Sequence, residues 1–279
     1  MAGRISRLLK GSHEISHSSH NSQNMVEPLA SKSVIVLIAG AWHLPDVWNK
    51  VKPRLEAAGY EVYTPRMLTV VGPEPVNYSW RFDVAVVHDL VIPLFNEGRH
   101  VVIVGHSYGG VVATASVEGQ SISDRQSRGL QGGFSAVVYI CAIPIVQRGD
   151  SLSSTINRKY GEWITATQPF DKNIPSSIKT VPGLEPFYND LPLDEAKEQC
   201  GKLLNQSQRS FEEPVDFCAN DIKIPMTYLL CESDKTIPIQ LQEYMAAAIP
   251  AMKTRRCTAA HSPFLSQPDL TAEVIIEST

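Results

Sequence analysis

The chain has 279 residues, 43% of them hydrophobic and 19% charged, with a formal net charge of −4. This length suits one large domain or two small ones, and the composition excludes wholesale disorder. The acidic balance excludes a basic nucleic-acid footprint. No apolar run approaches the roughly 18 residues of a membrane-spanning helix.

The five cysteines (Cys141, Cys200, Cys218, Cys231 and Cys257) are scattered, odd in number and without a CxxC pair. That argues against a disulfide framework and against a zinc module. Cys141 and Cys231 end apolar runs and Cys257 ends a predicted strand; all three read as small buried hydrophobes, in keeping with a reducing, cytoplasmic compartment.

Residues 1–32 differ in composition from the rest. Arg4, Arg7, Lys10 and Lys32 face Glu14 and Glu27, a balance of +2 that leaves −6 for the remainder. The segment lacks the apolar core of a secretory signal and reads as a disordered tail. The alternative is a mitochondrial presequence, hinted at by Arg4, Ile5, Arg7, Leu8, Leu9 and Lys10. His13, His17 and His20 have metal-like spacing, but the surrounding Gly, Ser and Asn would not hold a rigid helix, so they read as part of a solvated tail.

From Ser33 onward short apolar runs alternate with amphipathic stretches. Val34–Ala39 predicts a buried strand, Pro45–Ala58 a helix closed by Gly59, and Glu61–Thr64 a second strand. A Pro- and Gly-rich loop through Gly72, Pro73 and Pro75 follows. The next elements are a helix over Phe82–Phe95, a strand over Val101–Val104, a helix over Ser107–Glu118 and a strand over Ser135–Cys141. Near the C-terminus, Met226–Cys231 and Lys253–Cys257 predict strands, Pro238–Ala248 a helix, and Leu265–Ile276 a final helix delayed by Pro268. Strands apolar on both faces that alternate with helices imply an α/β fold, a mostly parallel sheet covered by helices.

Residues 144–222 break this rhythm. They show no convincing strands and only weak helical segments, Ser151–Ala166 and Asp194–Leu204. At this length the segment exceeds a connector and is expected to form a helical cap inserted between the core segments 33–143 and 223–279.

Gly105-His106-Ser107-Tyr108-Gly109 matches G-x-S-x-G, directly after the apolar strand and at the opening of a helix. In that context the motif predicts a sharp strand-to-helix turn that exposes Ser107 as a nucleophile, with small residues at −2 and +2 relieving crowding. A serine hydroxyl needs a base, and the base an orienting acid. His261 is the one histidine after Ser107. It follows the last strand by a short loop, as a base should. Asp234, in the loop after Met226–Cys231, is the expected acid, and Glu232 its rival. The oxyanion hole is expected from two backbone N–H groups, that of Tyr108 and that of Ala41 in the loop after the first strand. Trp42 and His43 beside it either pack under the cap or touch substrate. Trp163, Phe170, Phe187, Tyr188 and Phe211 either line an apolar pocket or form the cap's own core.

These residues together give a pattern that resembles the α/β-hydrolase superfamily from about Ser33 to Ile276. More narrowly, it is similar to the small microbial serine esterases related to plant methylesterases and hydroxynitrile lyases. The resemblance rests on Ala39-Gly40-Ala41-Trp42-His43 with Trp48, on Gly105 through Gly110, on Asp234, on His261-Ser262-Pro263-Phe264 and on Phe187-Tyr188-Asn189-Asp190. In the family the first loop commonly reads His-Gly; here Ala39 stands in place of that histidine, which keeps the backbone donor and loses the side chain.

The resemblance implies a serine hydrolase that uses Ser107, His261 and Asp234 without a cofactor or metal, acting on a small-molecule ester or lactone. It also implies a place among natural-product tailoring enzymes. A hydroxynitrile lyase of this group carries lysine after the histidine, where this chain has Ser262. Ser107 also excludes the carboxylate nucleophile of an epoxide or halide hydrolase. A lactone-forming transesterase, a thioesterase or a C–C bond hydrolase would use the same triad, and a ligand-binding receptor on the same fold is the alternative from a different class. The sequence carries no signal for oligomeric state.

Overall fold

The structure is a computed structural model that describes residues 32–157, 161–182, 186–250 and 252–279. The reading of residues 1–31 as a tail or presequence lies outside the described residues. Among the described residues no helix is long and apolar enough to cross a membrane.

In chain order the first half comprises β1 (Val34–Ile38), a 3₁₀ turn (Pro45–Trp48), α1 (Lys52–Ala57), β2 (Val62–Tyr63), β3 (Val70–Val71), α2 (Trp80–Asn96), β4 (His100–His106), α3 (Gly109–Ser116), α4 (Ile122–Gln126) and β5 (Gly133–Ile140). Then follow α5 (Leu152–Thr155), β6 (Ile164–Ala166), β7 (Ser177–Thr180), α6 (Leu193–Cys200), β8 (Asn205–Ser207), α7 (Arg209–Glu212) and a second 3₁₀ turn (Ala219–Asp221). The chain closes with β9 (Met226–Cys231), α8 (Ile239–Ala247), β10 (Met252–Cys257), α9 (Pro263–Ser266) and α10 (Pro268–Ile276).

Six strands form one parallel sheet in the order β10-β9-β5-β4-β1-β2. Every residue of β1 is buried, as is all of β4 except His100. Strands covered by helices on both faces need this continuous apolar run, and burying each such side chain contributes about 1.5–3 kcal/mol. All six strands end at the same edge of the sheet, the C-terminal edge, where an open α/β sheet places its ligand.

Two predicted elements differ in outcome. The helix over 45–58 is broken into the 3₁₀ turn and α1. Pro53 has no N–H to donate to Asn49, and the Asn49 N–H itself bonds to Asp46 O at 3.0 Å, so a continuous α-helix cannot run through this stretch. The second difference lies in residues 144–222, where the sequence pattern predicts no strands. β6, β7 and β8 pair antiparallel, and β3 joins them in a four-stranded sheet ordered β3-β8-β7-β6. The helix expected over 151–166 ends after one turn, at Asn157 in the left-handed region (φ 57°), and Ile164–Ala166 pairs with Ile178–Thr180 instead. Strands of three or four residues carry too little alternation to be read locally, and their pairing supplies the partner that the sequence pattern does not show. The inserted segment is therefore mixed, with helices α5, α6 and α7 as well as these strands.

Candidate active site

β4 ends at His106, and the chain turns at once into α3. Ser107 sits in that turn with φ 53°, a left-handed conformation costly for a residue with a side chain. The turn is held by Ser107 N–H donating to Ile140 O (3.3 Å) and by Ser107 O accepting from Gly110 N (3.0 Å) and Ile143 N (3.0 Å). The flanking glycines make this packing feasible. A Cβ on Gly105 would lie 2.5 Å from Gly109 O, and one on Gly109 would lie 2.7 Å from Ile38 O.

The loops after β9 and β10 bring the predicted acid and base together. His261 Nδ1 lies 2.8 Å from Asp234 Oδ2, with both side chains buried. The other carboxylate oxygen accepts from Thr236 N (2.7 Å) and Ile237 N (2.9 Å), and Gln242 Nε2 donates to Oδ2 at 3.3 Å. Two backbone donors on Oδ1 therefore aim Oδ2 at the histidine. Glu232, the rival acid, is exposed and pairs with Arg256. The His261 backbone carbonyl accepts from His106 Nε2 (2.8 Å), which places the predicted base next to the turn that carries Ser107. His261 Nε2 is buried and has no hydrogen-bond partner among the described residues.

His106, Cys141 and His261 bring metal-ligating atoms within 4.8 Å of one another. His106 Nε2 and Cys141 Sγ both donate to the His261 carbonyl (2.8 and 3.3 Å), so both are engaged in holding that backbone. Burial pushes the Cys141 thiol up to about 12, which keeps it protonated as a donor.

The loop after β1 is clamped by residues of the inserted segment. Trp42 has φ 67°, and three bonds hold it there: its N–H donates to Gln206 Oε1 (3.3 Å), its indole Nε1 to Ile178 O (3.1 Å), and its carbonyl accepts from Leu204 N (2.9 Å). With the Trp42 N–H committed to Gln206, Ala41 remains the candidate donor of this loop. His43 Nδ1 faces the Ala41 carbonyl at 2.6 Å, so Nδ1 carries the proton, and Nε2 accepts from the Tyr188 hydroxyl at 2.8 Å.

Ser107 opens into a cavity of about 470 Å³. Its walls include Trp42, Leu152, Trp163, Phe211, Ile237 and Leu241, and Lys235 is the one charged side chain among the described residues that line it. Size and lining suit a drug-sized apolar molecule. Of the three residues expected to touch substrate, Trp42 lines this cavity. His43 and Tyr188 face a small separate crevice and satisfy each other there. Among the predicted cap aromatics, Trp163 and Phe211 line the cavity, Phe187 is buried between Trp42 and His261, and Phe170 is exposed.

Burial pushes the His43 imidazole from its usual 6.5 down to about 4, with the nearby His261 adding to the effect. The folded chain therefore stays unprotonated at His43 where the unfolded chain takes up a proton. Stability from this group is complete above about pH 6.5 and declines as pH falls towards 4, by about 1.4 kcal/mol per pH unit and about 3 kcal/mol in all. His106, also held well below its usual value by burial, adds to the same slope. Urea midpoints measured from pH 7 to 4 are expected to fall more shallowly for His43→Gln than for the unsubstituted chain; parallel curves would contradict the assignment.

The fold and the sharp strand-to-helix turn at Ser107 define a class, and comparison with known proteins agrees with it. The model of the alpha/beta hydrolase family matches residues 35–274. The chain belongs to the alpha/beta hydrolase family. It is 28% identical over 245 residues to the alpha/beta hydrolase nvfD of Aspergillus novofumigatus, covering 88% of this chain and 95% of that protein. It is 25% identical over 256 residues to the pyrethroid hydrolase of Sphingobium wenxiniae, covering 87% and 86%. The crystal structure of polyneuridine aldehyde esterase superposes with a TM-score of 0.69 at 20% identity, covering 88% of this chain and 99% of that one.

Proposed function

We propose that this α/β hydrolase cleaves a carboxylic ester or lactone of an apolar small molecule through an acyl-enzyme on Ser107. The observation that carries the reading is the strained Ser107 at the edge of an apolar cavity, beside a hydrogen-bonded His261–Asp234 pair whose outer nitrogen is unpartnered among the described residues. His261 Nε2 takes the Ser107 Oγ proton as Oγ attacks the carbonyl carbon, and the carbonyl π pair moves onto its oxygen. The N–H groups of Tyr108 and Ala41 hold that oxyanion. Collapse breaks the bond to the alcohol oxygen, which leaves with the proton from His261. Water, deprotonated by the same nitrogen, then attacks the acyl group and releases the acid and Ser107. Asp234 keeps the proton of the resting imidazole on Nδ1.

The names of the relatives, which include a pyrethroid hydrolase and an esterase, support ester cleavage. The cavity supports a bulky apolar substrate, consistent with the natural-product tailoring role that the resemblance implies. A chain-length series of p-nitrophenyl esters tests the reading, alongside a fluorophosphonate probe. Turnover with one preferred acyl length and stoichiometric labelling of Ser107 is the expected result. Labelling without turnover would point to a narrow lactone or biosynthetic ester. Neither turnover nor labelling would overturn the reading in favour of a binding protein.

A further inference from the structure

The reaction above leaves one buried carboxylate unused. Asp83 lies in the first turn of α2, has no solvent exposure, and has no cationic partner among the described residues. Its Oδ2 accepts from the Tyr108 hydroxyl (2.8 Å) and from Thr69 Oγ1 (2.5 Å), and its Oδ1 accepts from Thr69 N (3.0 Å). Burial raises its pKa, and these bonds oppose that rise.

The bonds continue beyond Thr69. Gln206 Nε2, on β8, donates to Thr69 Oγ1 at 2.8 Å and to Ser210 Oγ at 2.7 Å. Gln206 Oε1 then accepts the Trp42 N–H, one residue past Ala41. A buried path thus runs Tyr108–Asp83–Thr69–Gln206–Trp42. One end is the residue after Ser107, and the other is the loop after β1.

The polarity of this path starts at the carboxylate and is supported at Gln206 by Ser210, whose hydroxyl donates to Ser207 O (2.7 Å) and therefore accepts from the amide. A carboxylate only accepts, so the Tyr108 and Thr69 hydroxyls must both donate to it. Thr69 Oγ1 is then left with lone pairs for the Gln206 amide nitrogen, and that turns the Gln206 oxygen towards the Trp42 N–H. Bonds to a charged acceptor are also shorter and stronger than neutral ones, so the geometry is held tightly.

We propose that Asp83 is the positioning residue that sets the two halves of the oxyanion hole, Tyr108 N–H and Ala41 N–H, in register with each other. The proposal rests on the reading of Ser107 as nucleophile and of these two N–H groups as the oxyanion donors. In Asp83→Asn one acceptor oxygen becomes an NH₂ group. That group must face either the Thr69 N–H or the two hydroxyls, and the stretch from Tyr108 to Thr69 loses its single direction.

The test uses the full chain, Asp83→Asn and Tyr108→Phe, which removes the hydroxyl and keeps the backbone N–H. Each is assayed for kcat and KM on the best p-nitrophenyl ester and for inhibition by an aryl trifluoromethyl ketone. The ketone's adduct with serine places an oxyanion in the hole, so its Ki reads the hole and not general folding. Losing one donor outright costs about 10²–10³ in kcat. Misplacing both is expected to lower kcat by about 10–100-fold in Asp83→Asn, to raise Ki by a similar factor, and to leave KM within about threefold. Tyr108→Phe is expected to move kcat and Ki together in the same directions by a smaller factor, and it decides the matter if Asp83→Asn does not fold. Unchanged kcat and Ki in a folded variant, or a loss confined to KM, would overturn the proposal while leaving the hydrolase reading intact. An unsubstituted chain inert to ester, ketone and fluorophosphonate alike would overturn the hydrolase reading itself, and this proposal with it.

Discussion

Ser107→Ala is expected to lower kcat on the best p-nitrophenyl ester by about 10⁴–10⁶-fold while leaving the thermal midpoint nearly unchanged. Among the described residues two other hydroxyls line the cavity, and neither is placed to substitute. Thr155 Oγ1 donates to Ser151 O at 2.9 Å, and Thr236 Oγ1 faces Pro186 O at 3.5 Å. Both are thus turned towards backbone carbonyls and away from a base. Alanine meets the same φ of 53° as serine, so the strain of the turn is common to both chains and the fold should not report the change. A small residual rate above the uncatalysed reaction is expected, because the oxyanion donors and the cavity remain. Retention of more than a few per cent of kcat would place the chemistry elsewhere.

Asp234→Asn carries the second largest expected effect, a loss of about 10⁴ in kcat. The reason is geometric. Oδ1 accepts two backbone N–H groups, from Thr236 and Ile237, so the asparagine carbonyl must take that place. Its NH₂ group then faces His261 Nδ1, which can only accept. The histidine proton moves to Nε2, the nitrogen that has to take the proton from Ser107, and the base is held in the wrong tautomer. Glu232→Gln removes only an exposed partner of Arg256 and is expected to leave kcat/KM within about twofold. Comparable losses in the two variants would reject Asp234 as the acid.

Much of this site is legible in the amino-acid sequence. Ser107 between glycines after an apolar strand, Asp234 after the strand ending at Cys231, and His261 after the strand ending at Cys257 are each positions defined by local pattern. Their chain order supplies the rest. The proposed oxyanion loop is partly legible: the small residues Gly40 and Ala41 point to close backbone approach, but the clamp on Trp42 comes from residues more than a hundred positions away. The pairing of His43 with Tyr188 is invisible in sequence, because two polar residues 145 positions apart carry no mutual signal. Asp83 is legible only as an acid in the first turn of a helix, where the usual reading is a favourable interaction with the helix dipole.

The parallel sheet, the sharp turn at Ser107 and the order of Ser107, Asp234 and His261 are written in the chain itself, because continuous apolar runs, helix periodicity and turn chemistry are local properties. The small antiparallel sheet of β3, β6, β7 and β8, the shape of the cavity and the network from Tyr108 to Trp42 arise only on folding. Those features exist through pairing between distant segments. A strand of three residues or a buried polar side chain acquires its role from the partner that folding brings to it.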